Sequence, residues 1–117
     1  MLTDRDISKA VHDYFNAWNS RDLSVLGATL SSKIVLQDWN VHVSGLQGVL
    51  KANGDIFDAF SEVNIAVDEL YPCVSKLACA CEITVRLNDV AKTELNVLDI
   101  IRFDAQLKVV SVRAYKL

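Results

Sequence analysis

Apolar residues recur at intervals of three and four from the start of the chain. Ile7, Ala10, Val11, Tyr14, Phe15 and Trp18 form the stripe by which an amphipathic helix buries one face. Thr3 followed by Asp6 predicts where that helix begins, with the hydroxyl capping and the carboxylate favoured by the first-turn dipole. Asn19-Ser20-Arg21-Asp22 breaks the stripe. Asp22 can cap a short second helix with Leu23, Leu26 and Leu30 on one side, so the two helices form a hairpin. Ser31-Ser32-Lys33 predicts a turn, and residues 34–39 a strand with Ile34, Leu36 and Asp38 on one face and Val35, Gln37 and Trp39 on the other. An extended piece at 41–44 leads to Gly45. Val49, Leu50, Ile56, Phe57 and Phe60 then predict a helix over about 46–60, interrupted at Gly54.

From Val63 onward the period changes from helix to strand, and β-branched residues recur to the C-terminus. Strands are predicted at about 63–73, 76–87, 90–104 and 108–117, with turns at 72–75, 88–89 and 104–107; such short turns imply antiparallel neighbours. In the third of these strands Leu95, Val97, Asp99, Ile101 and Phe103 share one face, so Asp99 interrupts an apolar row. Helices first and an antiparallel meander afterwards is an α+β order, with helices packed on one face of a sheet.

A chain of 117 residues falls within the size of one domain, 1–117, with no linker or repeat to mark a second. Its 51% hydrophobic content can fill a core and line a cavity as well. The net charge of −3, with acidic and basic residues dispersed, argues against a nucleic-acid partner, which needs clustered Lys and Arg. No apolar run approaches the ~18 residues of a membrane span, and the acidic start is unlike a signal peptide; the expected compartment is the cytoplasm. Cys79 and Cys81 alternate on a predicted strand as core residues. Without a CxxC pair, and with His12 and His42 isolated, no metal site is predicted.

The informative residues are the polar ones on apolar faces. A bent sheet under the helices would bring together the face with Leu36 and Asp38, the face with Val97 and Asp99, and the stripe with Tyr14. Each aspartate there must find a partner, reach water or keep its proton. Two readings are open. Asp38 and Asp99 can lie at strand ends or on a solvated face, with Tyr14 a core aromatic whose hydroxyl is satisfied. Alternatively the three act together: one ionised carboxylate takes a proton from a carbon acid, while a tyrosine and a protonated carboxylic acid stabilise the enolate oxygen.

Tyr14 and Asn19 in YFNAWNSRDL, Asp38 in IVLQDW and Asp99 to Tyr115 in DIIRFDAQLKVVSVRAY resemble bacterial delta-5-3-ketosteroid isomerase, within the SnoaL-like and nuclear transport factor two-like superfamily. The likeness covers most of the chain. It implies a cystatin-like fold: a cone-shaped, strongly curved, mostly antiparallel sheet with about three helices from the N-terminal half on its concave face. It further implies a cofactor-independent isomerase in which Tyr14 and Asp99 form the oxyanion hole and Asp38 moves a proton between two carbons of a 3-oxo steroid. Trp18, Leu36, Phe57, Val97, Ile101 and Val112 are the expected apolar contacts to the ligand, and a homodimer is the expected assembly.

The chain also departs from that family. Trp39-Asn40-Val41-His42 follows Asp38 where the isomerases have proline, Lys116 stands where they place a large apolar residue, and Ala52 or Asn53 falls where they often have a supporting tyrosine. These differences predict another mouth and leave other functions open. One is a SnoaL-like cyclase or hydrolase on a polyketide- or terpenoid-like substrate. Another is a non-catalytic module that binds a small ligand or dimerises.

Overall fold

The computed structural model describes residues 1–117. Helix α1 (Asp4–Asn19) begins at Thr3, whose hydroxyl accepts from the Asp6 amide while the Asp6 carboxylate accepts from the Thr3 amide at 2.8 Å, a reciprocal capping box. Helix α2 (Leu23–Gly27) starts at Asp22, which accepts from the amides of Ser24 and Val25. Strands β1 (Leu30–Gln37) and β2 (His42–Ser44) precede helix α3 (Leu46–Ala59), and β3 (Asn64–Cys73), β4 (Ala78–Arg86), β5 (Glu94–Phe103) and β6 (Val109–Lys116) complete the chain. The α+β order and the three helices are present. No helix is long and apolar enough to cross a membrane.

The six strands form one sheet in the order β2-β1-β6-β5-β4-β3, parallel between β1 and β6 and antiparallel elsewhere. The expected cone-shaped, strongly curved sheet is corrected by this topology. The sheet is open, with β2 and β3 as free edges, and is neither strongly curved nor closed. Register is continuous along β4 and β5, and irregularities are confined to single places in the β1–β6, β3–β4 and β5–β6 pairs, so nothing repeats along the ladders to roll them up. The helices and the β1–β2 turn, rather than curvature, supply the remaining walls of the interior.

Three boundaries differ from the sequence expectation, each for a local reason. Strand β1 begins at Leu30 because Leu30 pairs with Val109 of β6; the predicted turn at Ser31–Lys33 is instead where the register shifts before Val35. Helix α3 runs unbroken through Gly54, whose missing side chain lets α2 approach: a Cβ there would stand 3.2 Å from a Leu23 methyl. Strand β5 begins at Glu94 and not near Val90. Asp89 accepts from the Thr93 amide at 2.8 Å and the Thr93 hydroxyl at 2.7 Å, closing a loop that leaves Val90 exposed.

Helices and sheet enclose one core in which Phe15, Ile7, Leu26, Ile34 and Ile101 are fully buried, each contributing about 1.5–3 kcal/mol by burial. Two polar clamps hold α1 and α3 over the sheet. The Asn19 amide both donates to the Ile65 carbonyl and accepts from its N–H, each at 2.8 Å, tying the end of α1 to β3. Arg21 donates to the carbonyls of Phe57 and Phe60, closing the end of α3. These contacts set the distance between the helices and the inner sheet face, and therefore the size of the space between them.

Candidate functional site

That space is a cavity of about 340 Å³, toward the lower end of the ~300–1,000 Å³ typical of ligand pockets. Its walls are Tyr14 and Trp18 of α1, Asn53 and Ile56 of α3, Leu36 of β1, and inward residues of β4, β5 and β6 that include Ile83, Val97, Asp99, Val112 and Ala114. The β1–β2 turn, Asp38 to Val41, forms one side of the mouth with Phe60. Most of the lining is apolar, so the few polar groups on it carry its chemistry.

Tyr14, Asp38 and Asp99 all line this one cavity. Tyr14 is placed by the α1 stripe, with its ring edge-on to Phe15 at 5.0 Å between centroids. It is 6% exposed. Burial, and secondarily Asp99 and Cys81, push its phenol pKa well above the usual value, so it is a hydrogen-bond donor throughout the physiological range. Its hydroxyl is neither bonded to a protein group nor sealed from the cavity.

Asp99 sits in mid-β5, opposite Cys81 of β4 and Ala114 of β6, and is buried at 5% exposure. Burial first, and the neighbouring Asp38 second, push its carboxyl pKa up to about 7. A carboxyl that keeps its proton to neutral pH is a donor where an ordinary aspartate is only an acceptor. Asp38 is placed differently. It follows the last residue of β1, is half-buried, and its Oδ1 accepts from the amides of Asn40 and Val41, both at 2.7 Å. These two bonds fix its orientation, and its second oxygen has no protein donor. The site therefore holds two donors and one backbone-oriented carboxyl that accepts.

A pH prediction follows for stability. The pKa of Asp99 in the folded chain, about 7, lies above the ordinary 3.8, so between those values the native state binds more protons than the unfolded chain. Its contribution is fully present below about pH 4 and is lost as pH rises toward 7. Asp99→Asn is therefore expected to remove a decline in stability on the order of a few kcal/mol across this window. Urea unfolding of both proteins at pH 5 and pH 8 checks this; an unchanged difference between the two pH values contradicts it.

Among the expected ligand contacts, Trp18, Leu36, Val97 and Val112 line the cavity, whereas Phe57 and Ile101 do not. Phe57 stands behind Trp18, edge-on at 4.8 Å, with the Arg21 guanidinium 5.2 Å above its ring. Ile101 is fully buried between Cys79 and Val112, one inward position beyond Asp99. The phase of α3 turns Asn53 and Ile56 to the cavity instead, and Phe60 reaches it from just past the helix end. Asn53 was findable by the rule that singled out Asp99: it lies four residues after Val49 and three before Ile56, a polar residue within an apolar helical stripe. At the mouth, Trp39 is half-exposed and carries the Lys116 ammonium 5.2 Å from its ring centre, a pairing that joins two of the three departures from the isomerase pattern.

A model of the SnoaL-like domain matches residues 11–112, and the chain belongs to that family. Among curated proteins, none matches the sequence. Among solved structures, the chain is similar to SalBIII, an epoxide hydrolase/cyclase-like enzyme of pyran-ring formation in the polyether salinomycin, with a TM-score of 0.80 and 16% identity over 100% of this chain and 95% of that one. It is similar to a candidate polyketide cyclase from Sinorhizobium meliloti, with a TM-score of 0.81 and 14% identity over 97% and 99% of the two chains. A candidate ketosteroid isomerase from Kribbella flavida aligns with a TM-score of 0.78 and 16% identity over 95% and 77%. At these identities the likeness defines the fold, which is shared among proteins described as cyclases, hydrolases and isomerases.

Proposed function

We propose that this protein is a cofactor-independent acid–base enzyme that enolises an apolar, polyketide- or terpenoid-like carbonyl compound in the manner of a SnoaL-like cyclase. The observation that carries this reading is the placement of an acid with a pKa raised to about 7, a permanently protonated phenol and an oriented carboxylate on one apolar cavity. The ligand oxygen accepts hydrogen bonds from Tyr14 Oη and the protonated Asp99 carboxyl. Asp38 removes the proton from the carbon beside that carbonyl, and the two donors stabilise the charge that moves onto oxygen. Water exclusion by the surrounding aliphatic side chains strengthens each of these bonds.

The enolate then attacks a second electrophilic carbon of the same molecule, closing a ring, and the proton held by Asp38 returns to the oxygen of that acceptor. A second reading ends differently: Asp38 returns the proton to another carbon, which is isomerisation of a 3-oxo steroid. It is favoured by the chain separations of Tyr14, Asp38 and Asp99, which match the ketosteroid isomerases. Both share the first step. Incubation with 2-tetralone in deuterated buffer, followed by NMR, reads that step directly through loss of the α-proton signal. Exchange well above the buffer rate supports the proposal, and exchange at the buffer rate opposes it. Parallel ultraviolet assay of a delta-5-3-oxo steroid separates the two endings.

A further inference from the structure

Asn53 is 5% exposed on the cavity wall. Its side-chain orientation is unambiguous. The Trp18 indole N–H can only donate and lies 2.8 Å from one end of the amide, so that end is Oδ1. The Val49 carbonyl can only accept and lies 2.9 Å from the other, so that end is Nδ2. A primary amide carries two N–H bonds, and Val49 takes one. No protein group takes the second, although the residue is buried in a lining that is otherwise largely apolar.

A role in satisfying Trp18 accounts for Oδ1 and leaves the second N–H unexplained. Buried polar groups are generally bonded; Nδ2 meets one partner in Val49, and no protein acceptor takes its remaining N–H, so a partner for that bond comes from what fills the cavity. We propose that the substrate carries a second oxygen, a carbonyl, hydroxyl or ether, received by the Asn53 Nδ2 amide and distinct from the oxygen received by Tyr14 and Asp99. The position of the first oxygen rests on the reading given above. Asn53 stands on α3 and Tyr14 on α1, so the two oxygens are received at separate points of the cavity wall. The ligand class is a polyoxygenated ring or folded chain, and a ketone whose remainder is purely hydrocarbon leaves Asn53 unpaired.

The test uses two phenols of nearly equal size, 6-acetyl-2-naphthol and 6-isopropyl-2-naphthol, titrated by fluorescence into the wild type, Asn53→Leu and the double variant Trp18→Phe/Asn53→Leu. The double variant removes both polar partners, so no indole N–H is orphaned. The wild type is expected to prefer the acetyl compound over the isopropyl compound by about tenfold more than either variant does; comparing ratios cancels any difference in phenol acidity. Ratios that are the same in all three proteins overturn the proposal. If the ratios are the same while 2-tetralone exchange persists, only the second-oxygen inference fails. If the acetyl preference is present while exchange stays at the buffer rate, only the acid–base reading fails.

Discussion

Asp38→Asn is expected to lower the rate of 2-tetralone α-proton exchange by about 10²–10⁴-fold, the usual contribution of a positioned general base. The substitution keeps the oxygen that accepts from Asn40 and Val41, so the β1–β2 turn holds its shape while the basic oxygen becomes an amide nitrogen. It also removes the negative charge that helps raise Asp99. Burial, the larger influence, remains, and the Asp99 proton is retained below neutral pH. Binding of 2-naphthol, which uses only the two donors, should therefore change little at pH 6. Exchange by Asp38→Asn at the wild-type rate contradicts the assignment. Loss of exchange together with loss of naphthol binding shows collapse of the site and contradicts the selective role assigned to Asp38.

Tyr14→Phe carries the second large effect. It deletes one hydroxyl and leaves the ring against Phe15, so the core keeps its packing. Removing one donor to a developing oxyanion lowers kcat by about 10²–10³-fold. The residual rate should depend on Asp99 alone and decline as pH rises through its pKa of about 7, because an ionised Asp99 offers no proton to the ligand oxygen and repels the enolate. A rate unchanged by Tyr14→Phe removes the phenol from the mechanism, and one that climbs with pH through this region removes the acid.

Much of the fold was legible because period two and period 3.6 are local signals. The α1 stripe from Ile7 to Trp18 and the inward row from Leu95 to Phe103 appear in the structure where the pattern placed them. Strand ends were less legible because pairing and loop closure decide them. Leu30 belongs to β1 through its partner Val109, and Val90 leaves β5 through the hydrogen bonds of Asp89 to Thr93. Sheet shape was the least legible, since the long-range order of strands and the sparseness of bulges govern it; the strong curvature implied by the family resemblance is absent.

The same division holds for the site. Asp99 stood out because a carboxyl among Val97 and Ile101 breaks a period-two row. Phe57 and Ile101 share faces with cavity residues but lie behind them, a depth that periodicity does not encode. Asn53 was within reach of the pattern, yet its consequence is visible only once Trp18 and Val49 are known to occupy its other bonding positions. Trp39 and Lys116 are separate departures in the sequence, and only the fold brings them together at the mouth.

The most direct measurement is a crystal structure of the complex with 2-naphthol at pH 6. The naphthol oxygen is expected within about 3 Å of both Tyr14 Oη and an Asp99 carboxyl oxygen, its rings among Leu36, Val97 and Val112, and the Asp38 carboxylate beside the ring. A naphthol seated outside the cavity, or one whose oxygen meets neither Tyr14 nor Asp99, would contradict that arrangement.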